Sequence, residues 1–425
     1  MIRGTLFSAF LLVLALAGNG AVAATRTFNV RAYGAVPDGV TKDTAAFQQA
    51  LDACAISGGG EVVVPAGRYL IGSIQLGRRT VLRLERGSVL VGSGDLADYP
   101  MMDVRWEGRW ELGHRALIYA ANVNHTGIIG PGRIEGNPAV AAPQNPRGAV
   151  VLEPISCRDV RWEGFTVTQG GNWATHPTYC THVLIRGVTI DGRRDGIDVD
   201  SCRDVRIEGC RIDTGDDSIS LKSGRGRNGA RIGKPTEDVT ITGCTLHGRR
   251  FACIGIGSEI SGGIRNIRIE HCTFRARTYA VYLKSRIGRG GVTDGIVGTD
   301  LDVTGGGFLK INLTSAGNLN TVDDAIAGPP GIPAATHLRF SHVRMHGTVL
   351  VDATEIDPAR PLIGLALSDI HGTCTRGIRL ANAREVALGR LQVTGYAGPL
   401  LAVENVAGEG LTGAVPIGPH RGSTR

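Results

Sequence analysis

The chain has 425 residues, 62 of them glycine, only 5% aromatic residues and a formal net charge of +7. That composition suits short strands joined by tight turns and excludes a helical bundle. No basic run is interleaved with aromatics, so no nucleic-acid partner is expected, and the modest positive charge favours an acidic polysaccharide over a neutral one.

Residues 1–23 have the form of a secretory signal. Arg3 gives the positive start, an apolar run follows, and Ala21-Val22-Ala23 is a small-residue cleavage site. The run is too short to span a bilayer and no second one follows, so no membrane partner is expected. The mature protein, residues 24–425, is expected to be a secreted or periplasmic monomer. Residues 45–55 form a helix-like run with Thr44 as its N-cap, and Gly58-Gly59-Gly60 breaks it. Strands are predicted over 69–74, 81–84 and 89–91. A helix at the head of a stack of strands caps an otherwise open end of the core.

From Asn122 the chain repeats. Strong copies begin at Cys157, Cys180, Cys202, Thr236 and Ile264, with fainter ones at Val292, Ala335 and Asn382. The strong copies are 22 to 34 residues apart, which means constant strands and variable loops. No copy has room for a helix. The fold expected is all-β: a single-stranded right-handed parallel β-helix with a short N-terminal capping helix, forming one domain over 24–425. The cysteines follow the same period. Cys157, Cys180 and Cys202 share one slot, and Cys210, Cys244 and Cys272 another. Two files of free, buried thiols are expected, with Cys54 and Cys374 unplaced.

The chemistry concentrates between Arg193 and Ser223. Asp195 to Ser201 and Asp217 to Ser223 lie one repeat of 22 residues apart, and Ile197 falls over Ile219 as Val199 falls over Leu221. Stacked as parallel strands about 4.8 Å apart, they bring Asp195 and Asp217 together, with Asp216 alongside and Gly215 permitting a bend. Taken singly, each aspartate is an ordinary turn residue. Three in register raise the pKa of at least one, and a proton donor beside an ionised base can break a glycosidic bond. Two more strands, around Ile254 and Val281, continue the register. The outward columns are Asp198, Ser220, Gly255, Tyr282 and Asp200, Lys222, Gly257, Lys284. Lys222 fits equally an ion pair with Asp200 or a ligand role. Lys284 has no evident partner in its column, which turns it toward substrate. Trp173 and His176 stand one coil earlier, as groove lining or as buried structural residues. The long loop over 101–115 is a candidate wall for the groove, and the Gly/Pro/Ala-rich segment 321–333 reads as an exposed loop.

Between Phe28 and about Gly291 the sequence resembles glycoside hydrolase family 28, the polygalacturonase family. The likeness rests on Asp195-Gly196-Ile197-Asp198, Thr214-Gly215-Asp216-Asp217, Ile256-Gly257-Ser258 and Leu283-Lys284-Ser285 with Gly288 to Gly291. The resemblance implies inverting hydrolysis of a pectic polysaccharide or oligosaccharide, without metal or organic cofactor. It implies Asp216 as general acid and Asp195 with Asp217 as the pair that activates water. It also implies Lys284 as a ligand of the substrate carboxylate; Tyr282 and Lys222, from the same outward columns, complete the candidate substrate-binding residues. Two family features are missing. A Gly-His-Gly is replaced by Arg250-Phe251-Ala252-Cys253, and an Arg-Ile-Lys by Tyr282-Leu283-Lys284. Rhamnogalacturonan hydrolases of the family also lack that histidine and arginine, so a rhamnose- or galacturonate-containing pectin fragment is the expected substrate. A Ca²⁺-dependent lyase using Asp195, Asp198 and Asp217, and a non-catalytic carbohydrate-binding β-helix, are the rival expectations.

Overall fold

The computed structural model describes residues 26–143, 146–168, 172–317 and 324–417. The predicted leader and residues 321–323 lie outside them. The chain coils as a right-handed parallel β-helix, and 26 strands join in one continuous sheet system. Three files of inward side chains make the core. One runs Val160, Val183, Val205, Val239, Ile267, Ile296, each paired with the next. A second runs Val167, Ile190, Ile212, Leu246, Phe274, Val303. A third runs Ile197, Ile219, Ile254, Val281, Leu309. All are buried, and each contributes roughly 1.5–3 kcal/mol.

The repeat also carries a bend. Asp159, His182, Asp204, Asp238 and Asn266 occupy one slot and all have φ between 55° and 57°. Asp, Asn and His tolerate this left-handed conformation better than branched residues. That explains why the slot before each core valine or isoleucine is polar. Neighbours in the file bond to each other, as His182 Nδ1 does to Asp159 Oδ1 at 2.9 Å.

Helix α1 (Thr44–Ile56) covers the N-terminal end, burying Phe47, Leu51 and Cys54. Thr44 is its first helical residue, not its N-cap. The N-cap is Asp43, whose Oδ1 accepts from Val36 N–H, while Thr44 Oγ1 accepts from Gly72 N–H. The predicted strand 69–74 divides into Gly67–Ile71 and Ile74–Gln75. The strand Leu362–Thr394 contributes a coil that the faint late repeats did not mark. All nine cysteines are free and buried: six stand in the two expected files, Cys253 and Cys374 lie outside them, and Cys54 sits under the cap.

Five strands position the site. They are β1 (Ile197–Asp200), β2 (Ile219–Lys222), β3 (Ile254–Gly257), β4 (Thr273–Lys284) and β5 (Val292–Asn312). Their register is the predicted one: Asp198 beside Ser220, Ser220 beside Gly255, Gly255 beside Tyr282 and Gly257 beside Lys284.

Candidate active site

Asp195 ends the turn before β1, and Asp216 and Asp217 end the turn before β2. Gly215 makes that turn possible, because a Cβ there would lie 2.1 Å from the Arg193 carbonyl oxygen. Oxygens of the three carboxylates lie within 4.8 Å of one another. Asp217 is held on both oxygens. Oδ1 accepts from Ala252 N–H at 3.0 Å, and Oδ2 accepts from Ser220 Oγ at 3.0 Å and Lys284 Nζ at 2.5 Å. Ser220 Oγ also lies 3.3 Å from Asp195 Oδ2. Asp216 is half-buried, and its Oδ1 accepts from Asp217 N–H at 3.0 Å. Gly255 leaves room for the Asp217 carboxylate, since a Cβ there would stand 2.1 Å from Oδ2. The space expected above this glycine is filled by the acid itself.

The electrostatics separate the acids. Burial pushes Asp216 up to about 7, and Asp195 and Asp217 add to the shift. Burial and the nearby Asp198 hold Asp195 well above the usual carboxylate range. Asp198 is itself pushed up to about 7 by burial, against the pull of Lys222. Glu259 goes the other way: burial works against its charge, but Lys222 and Arg289 keep it well below the usual range. A protonated carboxyl at Asp216 beside a firmly held acceptor at Asp217 is an acid–base pair poised near neutrality.

The lysines are placed differently from expectation. Lys222 pairs with Asp198 at 3.4 Å, Glu259 at 3.4 Å and Asp195 at 3.7 Å, not with Asp200. Asp200 is taken by Arg105, Nε to Oδ2 2.9 Å. Lys284, expected without a partner, is bonded to Asp217, an acid one strand beyond its column neighbour. Tyr282 is half-buried and lines the same cavity. Of the two residues left open, Trp173 lines the cavity. His176 is fully buried below it, its Nδ1 3.0 Å from Glu153 Oε1 and its Nε2 3.9 Å from Asp200.

That burial needs a cover, because Glu153, His176 and Asp200 stand on outward positions of their coils. The cover is the stretch expected as a long loop. It is an antiparallel hairpin, Met101–Trp106 with Arg109–His114. Arg105 reaches down to Asp200, Trp106 stacks on Trp173 with ring centroids 3.9 Å apart, and Glu107 at the tip pairs with Arg225. The hairpin tip, through Glu107, borders the cavity that holds the three aspartates, whose volume is about 390 Å³. Arg105, Glu107, Phe251 and Glu259 belong to the surroundings of the site and were missed from sequence. Glu259 alone carried a signal, as the residue following the Ile256-Gly257-Ser258 motif.

The acidic cluster is poorly suited to a Ca²⁺ ion, which takes 6–8 oxygen ligands. The ammonium groups of Lys222 and Lys284 already stand among these oxygens.

The family model described as rhamnogalacturonase A/epimerase, pectate lyase-like, matches residues 27–289. A probable polygalacturonase of Vitis vinifera is 29% identical over 80% of this chain and 72% of that protein. Two solved structures share the fold. The exopolygalacturonase of Thermotoga maritima has a TM-score of 0.77 at 23% identity, over 87% of this chain and 92% of that one. The family 28 exopolygalacturonase of Yersinia enterocolitica has a TM-score of 0.79 at 19% identity, over 92% and 79%.

Proposed function

The chain belongs to the rhamnogalacturonase A/epimerase, pectate lyase-like family, and from that premise we propose that it is a pectin-degrading glycoside hydrolase with Asp195, Asp216 and Asp217 as its catalytic acids. One observation carries the reading: three carboxylates meet in a cavity, one pushed up to about 7 and another tied on both oxygens. Asp216 gives its proton to the leaving glycosidic oxygen. Asp217 and Asp195 take a proton from water, which attacks the anomeric carbon from the opposite face. Lys284, Tyr282 and Lys222 are the substrate-side residues: Tyr282 offers a ring to the sugar, and Lys284 a cation to its carboxylate. Lys222 holds the acids in place.

The reaction is read as inverting, because Asp217, held on both oxygens, suits orienting water better than swinging onto a carbon, and NMR of the first-formed anomer tests this.

The hairpin wall supports attack from a chain end, with the polymer entering from the side of β4 and β5. The leader at residues 1–23 supports export. The substrate is a galacturonan or rhamnogalacturonan fragment. The test is product analysis by mass spectrometry on polygalacturonan, rhamnogalacturonan and their oligomers, comparing the parent protein with Asp216→Asn, with and without chelator. Saturated products that persist with chelator and vanish in the variant support hydrolysis and name the sugar. Unsaturated products would establish a lyase, and binding without turnover a carbohydrate-binding module.

A further inference from the structure

The cavity presents three cations, and two of them are already paired with acids of the site, so that Lys284 brings a substrate carboxylate only a charge it shares with Asp217. Lys222 is paired with Asp195, Asp198 and Glu259, and Lys284 with Asp217. The third, Arg194, lines the cavity and is exposed, and among the described residues it has no hydrogen-bond or ion-pair partner. The acid its charge acts on is Asp216, which makes no ion pair with it.

We propose that Arg194 is the specificity-determining residue that grips the carboxylate of a uronic acid at the cleavage site. This rests on the hydrolase reading above. Arg194 directly precedes Asp195, so the backbone anchors it beside the acids, and its side chain lines their cavity. The guanidinium fork matches a sugar carboxylate bidentately, as a lysine does not. The position beside Lys284 that would carry an arginine in Arg-Ile-Lys holds Tyr282, which leaves Arg194 as the cavity's available fork. A free cation here also has a cost, because it lowers the proton affinity of Asp216. An anionic substrate offsets that charge when bound, so Asp216 keeps its proton when it is needed.

The test is calorimetric binding of trigalacturonate and its fully methyl-esterified form to the inactive Asp216→Asn protein, with and without Arg194→Gln. Thermal unfolding of each variant checks its fold. The expected result is a weakening of roughly ten- to a hundredfold for the free acid and less than about twofold for the ester, with Arg194→Lys intermediate. Equal weakening of both ligands, or none, overturns the inference and leaves the hydrolase reading standing. If the parent neither binds nor cleaves either ligand, and Asp216→Asn likewise binds neither, both fall together.

Discussion

In the proposed reaction, Asp216 is the residue on which turnover depends. Asp216→Asn is expected to lower kcat by about 10²–10⁴-fold while leaving oligosaccharide binding in place, as read by initial rates and calorimetry. Because burial pushes its carboxyl up to about 7, the parent rate should fall as pH rises through about 7, and a pH–rate profile checks this. The same shift enters stability. Between the unfolded carboxylate value, about 4, and about 7 the folded protein holds a proton that the unfolded chain releases. Unfolding free energy from this group is therefore present at low pH and lost as pH rises through that window. Asp216→Asn should flatten the decline, which calorimetric scans at pH 4 to 7 would read out. Gly255 is the other sensitive position. Gly255→Ala puts a Cβ 2.1 Å from Asp217 Oδ2, and displacing that acid by about 1 Å should cost roughly a hundredfold in kcat. An unimpaired variant would show that Asp217 tolerates movement.

The elements of the site divide into those legible in the sequence and one that was not. The register of strands β1 to β4 was legible to the residue, though not their ends, because a period of two with one apolar face fixes it: a slip of one would turn Ile197 and Val199 outward. The hairpin was not. Its outward apolar residues, such as Leu112 and Trp110, carry no clean alternation. Its meaning depends on contacts some 95 residues away, where Arg105 meets Asp200. The pairing of Lys284 escaped for a related reason. Column logic gives neighbours along one row, whereas a lysine side chain reaches across to Asp217. The hairpin's anchor can be measured. Both Arg105 and Asp200 side chains are fully buried, so Arg105→Ala strands a carboxylate and should cost about 3–5 kcal/mol, read from the urea midpoint. A loss under 1 kcal/mol would mean the hairpin rests on the Trp106–Trp173 stack.

At the scale of the whole molecule the coil is held by stacking alone, with no covalent staple. Nine free, buried thiols predict that a thiol reagent reacts with none in the native protein and with nine in denaturant, and that reductant leaves the melting temperature unchanged. A titre below nine in denaturant without reductant would reveal a disulfide. The thiol files have a second consequence, which concerns time more than equilibrium. In the folded state every sulfur is buried, and seven of the nine lie against a backbone carbonyl, as Cys180 does against Thr178 at 3.3 Å. Melting sets nine of them loose at once, along a chain whose intervals are short enough to close into loops. In air, any pair that joins fixes two coils out of step and bars the way back. Under oxidising conditions, then, the enzyme's working life is expected to be measured by how rarely it opens: its first unfolding is its last unless a reductant is present.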